Sequence, residues 1–111
     1  MAKYSGSGNQ NLTTTAISAI SAASPATTQR TKLYDLLIAD EGTPADNVVL
    51  HTVQRTTASG TASAVTPTKL AMGDAVARTV CAENHTVEPT YTASEELLEF
   101  ALNTRATFRW V

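Results

Sequence analysis

The clearest periodicity lies at the C-terminal end, where Ala106, Phe108 and Trp110 alternate with Arg105, Thr107 and Arg109. Successive side chains of a strand point to opposite sides, so this period of two predicts an extended segment with one apolar face. A second alternating run covers Asn47 to Thr57, with Val49, His51, Val53 and Arg55 on one face and Val48, Leu50, Thr52 and Gln54 on the other. Ahead of it stands the apolar run Lys32 to Ala39. Between the two lies Asp40-Glu41-Gly42-Thr43-Pro44-Ala45-Asp46, rich in turn residues. Two strands joined by a tight connection are the simplest reading.

Residues 96 to 102 admit two readings. Ser94 followed by Glu95 and Glu96 resembles a helix N-terminus, and Leu97, Phe100 and Ala101 would share a helical face. Asn103-Thr104, however, would make a two-residue hairpin between 96 to 102 and 105 to 111, and residues 96 to 102 are read as strand on that ground. Residues 58 to 63 read as a turn or loop, and Ala64 to Pro67 as a short edge strand, since proline cannot donate to a ladder. Lys69 to Val80 is either a long loop or one short helix. Asn84 to Tyr91 is polar and β-leaning.

Residues 1 to 30 read as an extended, flexible arm: Ser5 to Gln10 are linker types, and a Thr, Ala and Ser-rich stretch follows, broken at Pro25. Such a segment buries too little apolar surface to offset its ordering entropy alone, so it is expected to order only against something else. Ile17 and Ile20 fit a short helix or an extended strand, and their β-branched side chains favour the strand. Residues 31 to 111 form the expected body. The chain stops inside an apolar strand at Trp110-Val111, which suggests either truncation or a strand held by a neighbouring element or subunit.

Composition strengthens the β reading. Of 111 residues, 19 are Thr, 18 Ala and 8 Ser, and only 16% are charged. Threonine favours strands, while Ser and Thr compete with helical hydrogen bonds. The predicted fold class is all-β, with a thin core, since large apolar side chains are few. Low charge leaves surface suited to burial against partners, because interface cores are depleted in charge. Net charge is −2 and the basic residues are scattered from Lys3 to Arg109. Neither nucleic acid nor an anionic membrane is an expected partner. No run approaches the length of a membrane span, and Lys3 is not followed by the apolar stretch of a signal peptide, so synthesis in a soluble, cytoplasmic setting is expected.

No expected site is catalytic, cofactor-binding or metal-binding. His51 and His85 lack ligands at metal spacing. Asp40, Glu41 and Asp46 lack the ladder of a calcium loop and read as a solvated turn, and Glu95, Glu96 and Glu99 as solubilising charge. Cys81 excludes an intrachain disulfide and reads as a small apolar residue beside Val80. The expected partner-contact residues are Tyr4, Leu12, Ile17 and Ile20 in the arm, where an aromatic anchor suits docking, and Trp110 in the final strand.

Four stretches carry a resemblance: Asp40 to Val49, Val53-Gln54-Arg55-Thr56-Thr57, Glu83 to Tyr91, and Ala101 to Val111. Together they resemble small virion proteins of tailed phages, over most of residues 31 to 111. More closely, they look like the capsid cement or decoration proteins of cyanophage-type siphoviruses. That resemblance implies a small β-sandwich, jelly-roll-like, with an extended arm and a tendency to sit as trimers between capsomers. The implied partners are the major capsid protein and further copies of the chain, and the implied location is the capsid surface. A tail, neck or fibre-base adaptor of a phage particle is the alternative. The family's sequences run on past Arg109-Trp110-Val111, where this one ends.

Overall fold

The computed structural model describes residues 2–25 and 29–111; residues 1 and 26–28 of the segment read as an arm lie outside them. Among the described residues the protein is all-β and holds no helix. In chain order the strands are β1 (Tyr4–Ser5), β2 (Ile20–Ala23), β3 (Leu36–Ile38), β4 (Val48–Ala58), β5 (Thr61–Val65), β6 (Thr68–Lys69), β7 (Val80–Val87), β8 (Thr90–Asn103) and β9 (Phe108–Trp110). They pair as β1-β6, β2-β7-β5, β3-β9 and β4-β8. These small antiparallel sheets are consistent with a small β-sandwich. Contacts group the chain into two units: residues 1–31 with 56–90, and residues 32–55 with 91–111. The expected arm, residues 1–30, falls within the first of these units.

In the first unit β7 is the central strand. Its neighbours are both antiparallel: Ile20 stands opposite Glu83 and Ala23 opposite Val80 on the β2 side, and Val65 opposite Cys81 on the β5 side. The β5 register jumps between Thr61↔Val87 and Ser63↔Glu83, so β7 carries two extra residues there. Asn84 takes φ 51 within that bulge, and asparagine tolerates the left-handed region better than most residues. β5 is an edge strand, as expected, but it spans Thr61–Val65: residues 61 to 63, read as loop, pair with β7, and Thr66-Pro67, read as strand, lie beyond it. The stretch from Leu70 to Thr79 is irregular, and the loop reading of that segment holds.

In the second unit the alternation in β4 appears directly as burial. Val49, His51 and Val53 are half-buried, while Val48, Leu50 and Thr52 are exposed. On β8, Leu98, Phe100 and Leu102 are the half-buried set. The Phe100 ring stacks on His51 at 5.4 Å between centroids and on Phe108 at 3.9 Å. Since these rings come from β4, β8 and β9, the stack ties the two ribbons of this unit together. Each such ring pair adds roughly 0.5–1.5 kcal/mol to the area it buries.

Two expected hairpins do not form. Residues 32 to 39 and 47 to 57 are not paired with each other, nor are 96 to 102 with 105 to 111. Instead β3 pairs with β9, placing Leu36 opposite Trp110 and Ile38 opposite Phe108, and β4 pairs with β8. The final strand is therefore completed by β3 within the same chain. A turn does stand where Asn103-Thr104 suggested one, with Ala106 N–H donating to the Asn103 carbonyl at 2.8 Å. Its side-chain bonding, described below, sends the chain to a different ribbon.

The two-residue link between β4 and β5 depends on Gly60. This residue has φ +68, and a Cβ built on it would lie 2.2 Å from the Val87 carbonyl oxygen. Gly60→Ala is expected to cost about 3 kcal/mol, combining left-handed strain with displacement of β7 backbone. Gly73→Ala, where a Cβ meets nothing within 4 Å, should change stability by less than about 0.5 kcal/mol. Urea unfolding midpoints of the two variants measure the contrast.

Candidate partner-contact site

The second unit is held at one end by a clasp between two turns. Thr104 is buried; its hydroxyl donates to the Ala45 carbonyl, and its N–H donates to the Asn47 carbonyl at 2.9 Å. Asn103 Nδ2 donates to Asp46 Oδ1 at 2.6 Å, and Arg105 Nε to the Pro44 carbonyl at 3.3 Å. The Asn103 side chain also accepts from Arg105 N–H at 2.9 Å, an Asx turn that fixes the bend locally. Every carbonyl from Pro44, Ala45 and Asn47 named here would otherwise need water. At the far end Arg109 grips Asp35 with two bonds, 3.1 and 2.6 Å, between the residue before β3 and the middle of β9. Those hydrogen bonds, with the guanidinium charge and the Leu36 N–H assisting, hold the Asp35 carboxyl below its ordinary 3.8 despite some desolvation.

In the first unit the N-terminal residues lie along β7 and are fastened by side chains. His85 is buried, with Nδ1 3.2 Å from the Ser18 carbonyl and Nε2 3.2 Å from Ser21 Oγ. A carbonyl only accepts, so Nδ1–H donates to Ser18, and Nε2 shares a hydrogen bond with the Ser21 hydroxyl. The β7 bulge is what aims this ring across the sheet. Gln10 Nε2 donates to the His85 carbonyl at 3.2 Å, Asn9 N–H to Glu83 Oε2 at 2.8 Å, and Ser18 Oγ to Glu88 Oε2 at 2.7 Å. Gly8 makes the approach possible, because a Cβ there would come within 2.8 Å of Glu83 Cβ. Cys81 is buried nearby in the same strand, and burial pushes its thiol up.

The residues expected to meet a partner fall at scattered places. Tyr4 lies in β1, and its hydroxyl donates to the Ala75 carbonyl at 2.9 Å. Leu12 is exposed, Ile17 half-buried outside any strand, and Ile20 opens β2 with part of its side chain in solvent. Trp110 stays 40% exposed opposite Leu36. Thus Tyr4, Leu12, Ile17 and Ile20 belong to one unit and Trp110 to the other. Three of the remaining polar candidates are engaged structurally: His51 in the ring stack, Asp46 in the clasp, and Glu95 3.9 Å from Arg55. Among the described residues no group of three or more His, Cys, Asp or Glu could hold a metal ion, and no helix is long and apolar enough to cross a membrane.

The sequence did not single out the loop after β6. There Met72 is 93% exposed, Val76 71% and Leu70 65%. Polar bonds nonetheless fix the backbone: Leu70 N–H to the Lys3 carbonyl, Asp74 N–H to the Ala71 carbonyl, Lys69 Nζ to the Asp74 carbonyl, and Tyr4 to Ala75. An apolar loop ordered without burial differs from an ordinary solvated loop, and three large apolar residues without strand period were its only trace in the sequence. A second exposed apolar set stands on the β4-β8 ribbon. Val48, Leu50 and Leu97 lie on the face opposite the His51–Phe100 stack and are each at least 60% exposed.

Compared with family models, curated proteins and solved structures, the chain finds no match.

Two variants probe the fastenings of the second unit. Thr104→Val keeps the shape but removes the donor to Ala45, and should cost about 1–2 kcal/mol in chemical denaturation, while Thr104→Ser restores most of it. Asp35→Asn tests the ion pair through pH. A depressed carboxyl contributes stability above its unfolded value of 3.8 and loses it as pH falls through the lower folded value. The thermal midpoint of Asp35→Asn should lie below that of the parent near neutral pH, and the gap should close well below pH 3.8. An unchanged gap in strong acid would contradict the assignment.

Proposed function

We propose that this chain is a structural virion protein that decorates and stabilises a tailed-phage capsid by bridging neighbouring capsid subunits. It is read as non-enzymatic, working without a cofactor, with the major capsid protein and further copies of itself as partners, a trimer being favoured. The observation that carries the reading is the exposed apolar face of a charge-poor β protein: Val48, Leu50 and Leu97 stand together on one side of the β4-β8 ribbon and are each at least 60% exposed. Large exposed apolar residues on strands mark protein contact. The resemblance of residues 40 to 49, 83 to 91 and 101 to 111 to phage cement proteins supplies the kind of partner.

Mechanically, a small β body resting on the shell adds contact area at each site. Many weak contacts on one lattice hold together far more firmly than any one of them, because each engaged site raises the effective concentration at the next. The N-terminal residues fit this role as an extended element whose backbone is held by side-chain fasteners at Asn9, Gln10 and Ser18. The second reading is a tail, neck or fibre-base adaptor, in which the same small β protein joins two rings of a phage particle.

Copy number separates the two. A decoration role requires on the order of hundreds of copies per particle, following the symmetry of the shell, while an adaptor ring requires about a dozen or fewer. Gel densitometry of purified particles measures this. Shells stripped of the protein should burst at a lower temperature than complete shells. Stripped shells that withstand heat and osmotic shock as well as complete ones would end the decoration reading.

A further inference from the structure

We propose that two copies of this chain dock head to tail. The apolar loop after β6 of one copy seats on the outward face of the β4-β8 ribbon of the next. This deepens the self-assembly part of the function proposed above, and its test uses the isolated protein, so it can fail while shell binding stands.

The loop has the properties of a preformed anchor. Met72 and Val76 project from a backbone already fixed by Lys69 to Asp74, Asp74 to Ala71, and Tyr4 to Ala75. Docking such a loop loses little backbone freedom, and the ordering cost is what most reduces affinity in flexible contacts. Methionine at the tip adapts to the shape it meets. Lys69 and Arg78 flank these residues and Asp74 lies between Met72 and Val76, so the loop carries a formal charge of +1, with exposed Arg78 as its outer cation.

The ribbon offers the complement. Val48 and Leu50 share the outward face of β4, and Leu97, Glu99 and Ala101 share that of β8. Glu99 is exposed among the apolar residues. Charge divides in the same sense. The unit holding the loop has four basic against three acidic residues, formally +1, and the unit holding the ribbon has four basic against seven acidic, formally −3. Stacking two ribbon faces on each other would bring acidic surfaces together, which disfavours like-with-like pairing. A loop of net positive charge on an acidic-rimmed face is attractive instead. A head-to-tail contact uses both surfaces of every copy and closes into a ring when the rotation allows it.

The test is sedimentation of the full-length chain over a range of concentrations, with circular dichroism to confirm that each variant keeps its β signal. The parent should self-associate, more weakly as salt rises. Met72→Glu should weaken association by about tenfold or more. Arg78→Glu and Glu99→Lys should each weaken it by about threefold to tenfold, and the double variant should recover to within about twofold of the parent. Recovery in the double variant requires that Arg78 of one copy faces Glu99 of another, which a general loss of solubility or fold would not mimic. A parent that stays monomeric overturns the proposal, as does a folded Met72→Glu that associates normally, or a double variant no better than the singles. A monomer that floats with anionic phospholipid vesicles through Met72 would assign the loop to a lipid surface and equally overturn it.

Discussion

Buried apolar surface is the scarce quantity in this protein, and the rest of the structure follows from that scarcity. Cys81, His85, Pro89 and Thr104 are the residues classed as buried among those described, and none of them carries the large aliphatic side chain on which cores are normally built. Ordering each residue costs on the order of 1–2 kcal/mol of backbone entropy, so hydrophobic burial alone leaves a deficit. The deficit is met by directional bonds at a few places where they count most. His85 and Thr104 are both polar, both buried and both fully bonded, and each sits where a strand meets a segment from far along the chain. A buried polar group with satisfied partners specifies one arrangement more sharply than an apolar side chain of equal size, because any shift strands a donor or acceptor.

The sequence showed the strands because strand formation is a local property. The period of two in Val48 to Gln54 follows from which face meets the core, and β4 has the expected faces; at the C-terminal end only Phe108–Trp110 of the expected strand is extended, with Phe108 half-buried and Ala106 and Trp110 exposed. Pairing was not legible in the same way. A two-residue turn invites the hairpin reading, yet whether flanking strands pair depends on the geometry of that turn. Here Asn103 bonds Arg105 N–H and Asp46, and Thr104 bonds Ala45 and Asn47. Asp46, Ala45 and Asn47 lie more than fifty residues earlier in the chain, and nothing in the local spelling announces them. Residues 40 to 46 were correctly a turn for the same local reasons, and their nonlocal role as the other half of the clasp was equally hidden.

The candidate contact residues divide along similar lines. Tyr4 was chosen as an aromatic in a flexible segment, but its partner is a carbonyl of the loop after β6. The loop's exposed residues were passed over, because Leu70, Met72 and Val76 have no period and small residues separate them. Exposure of an apolar side chain is a property of the folded arrangement alone. The fastening of the N-terminal residues had one readable sign, the glycine at position 8, which carries meaning only once Glu83 is seen against it.

Open strand edges set a further condition on any assembly by this chain. β4 and β8 are the long strands, with 11 and 14 residues, and each pairs on one side only. Long exposed edges template indefinite strand addition unless something interrupts them. On β8 the interruption is Ser94, whose φ of 61 breaks the extended run, together with the charges of Glu95, Glu96 and Glu99; on β4 it is Arg55. β1, β3, β6 and β9 have two or three residues, which offers too few hydrogen bonds to recruit a foreign strand, and the edge strands β2 and β5 have four and five. Charge and backbone irregularity therefore guard the two long strands, brevity guards the shortest ones, and strand addition is confined to the short uncharged edges of β2 and β5.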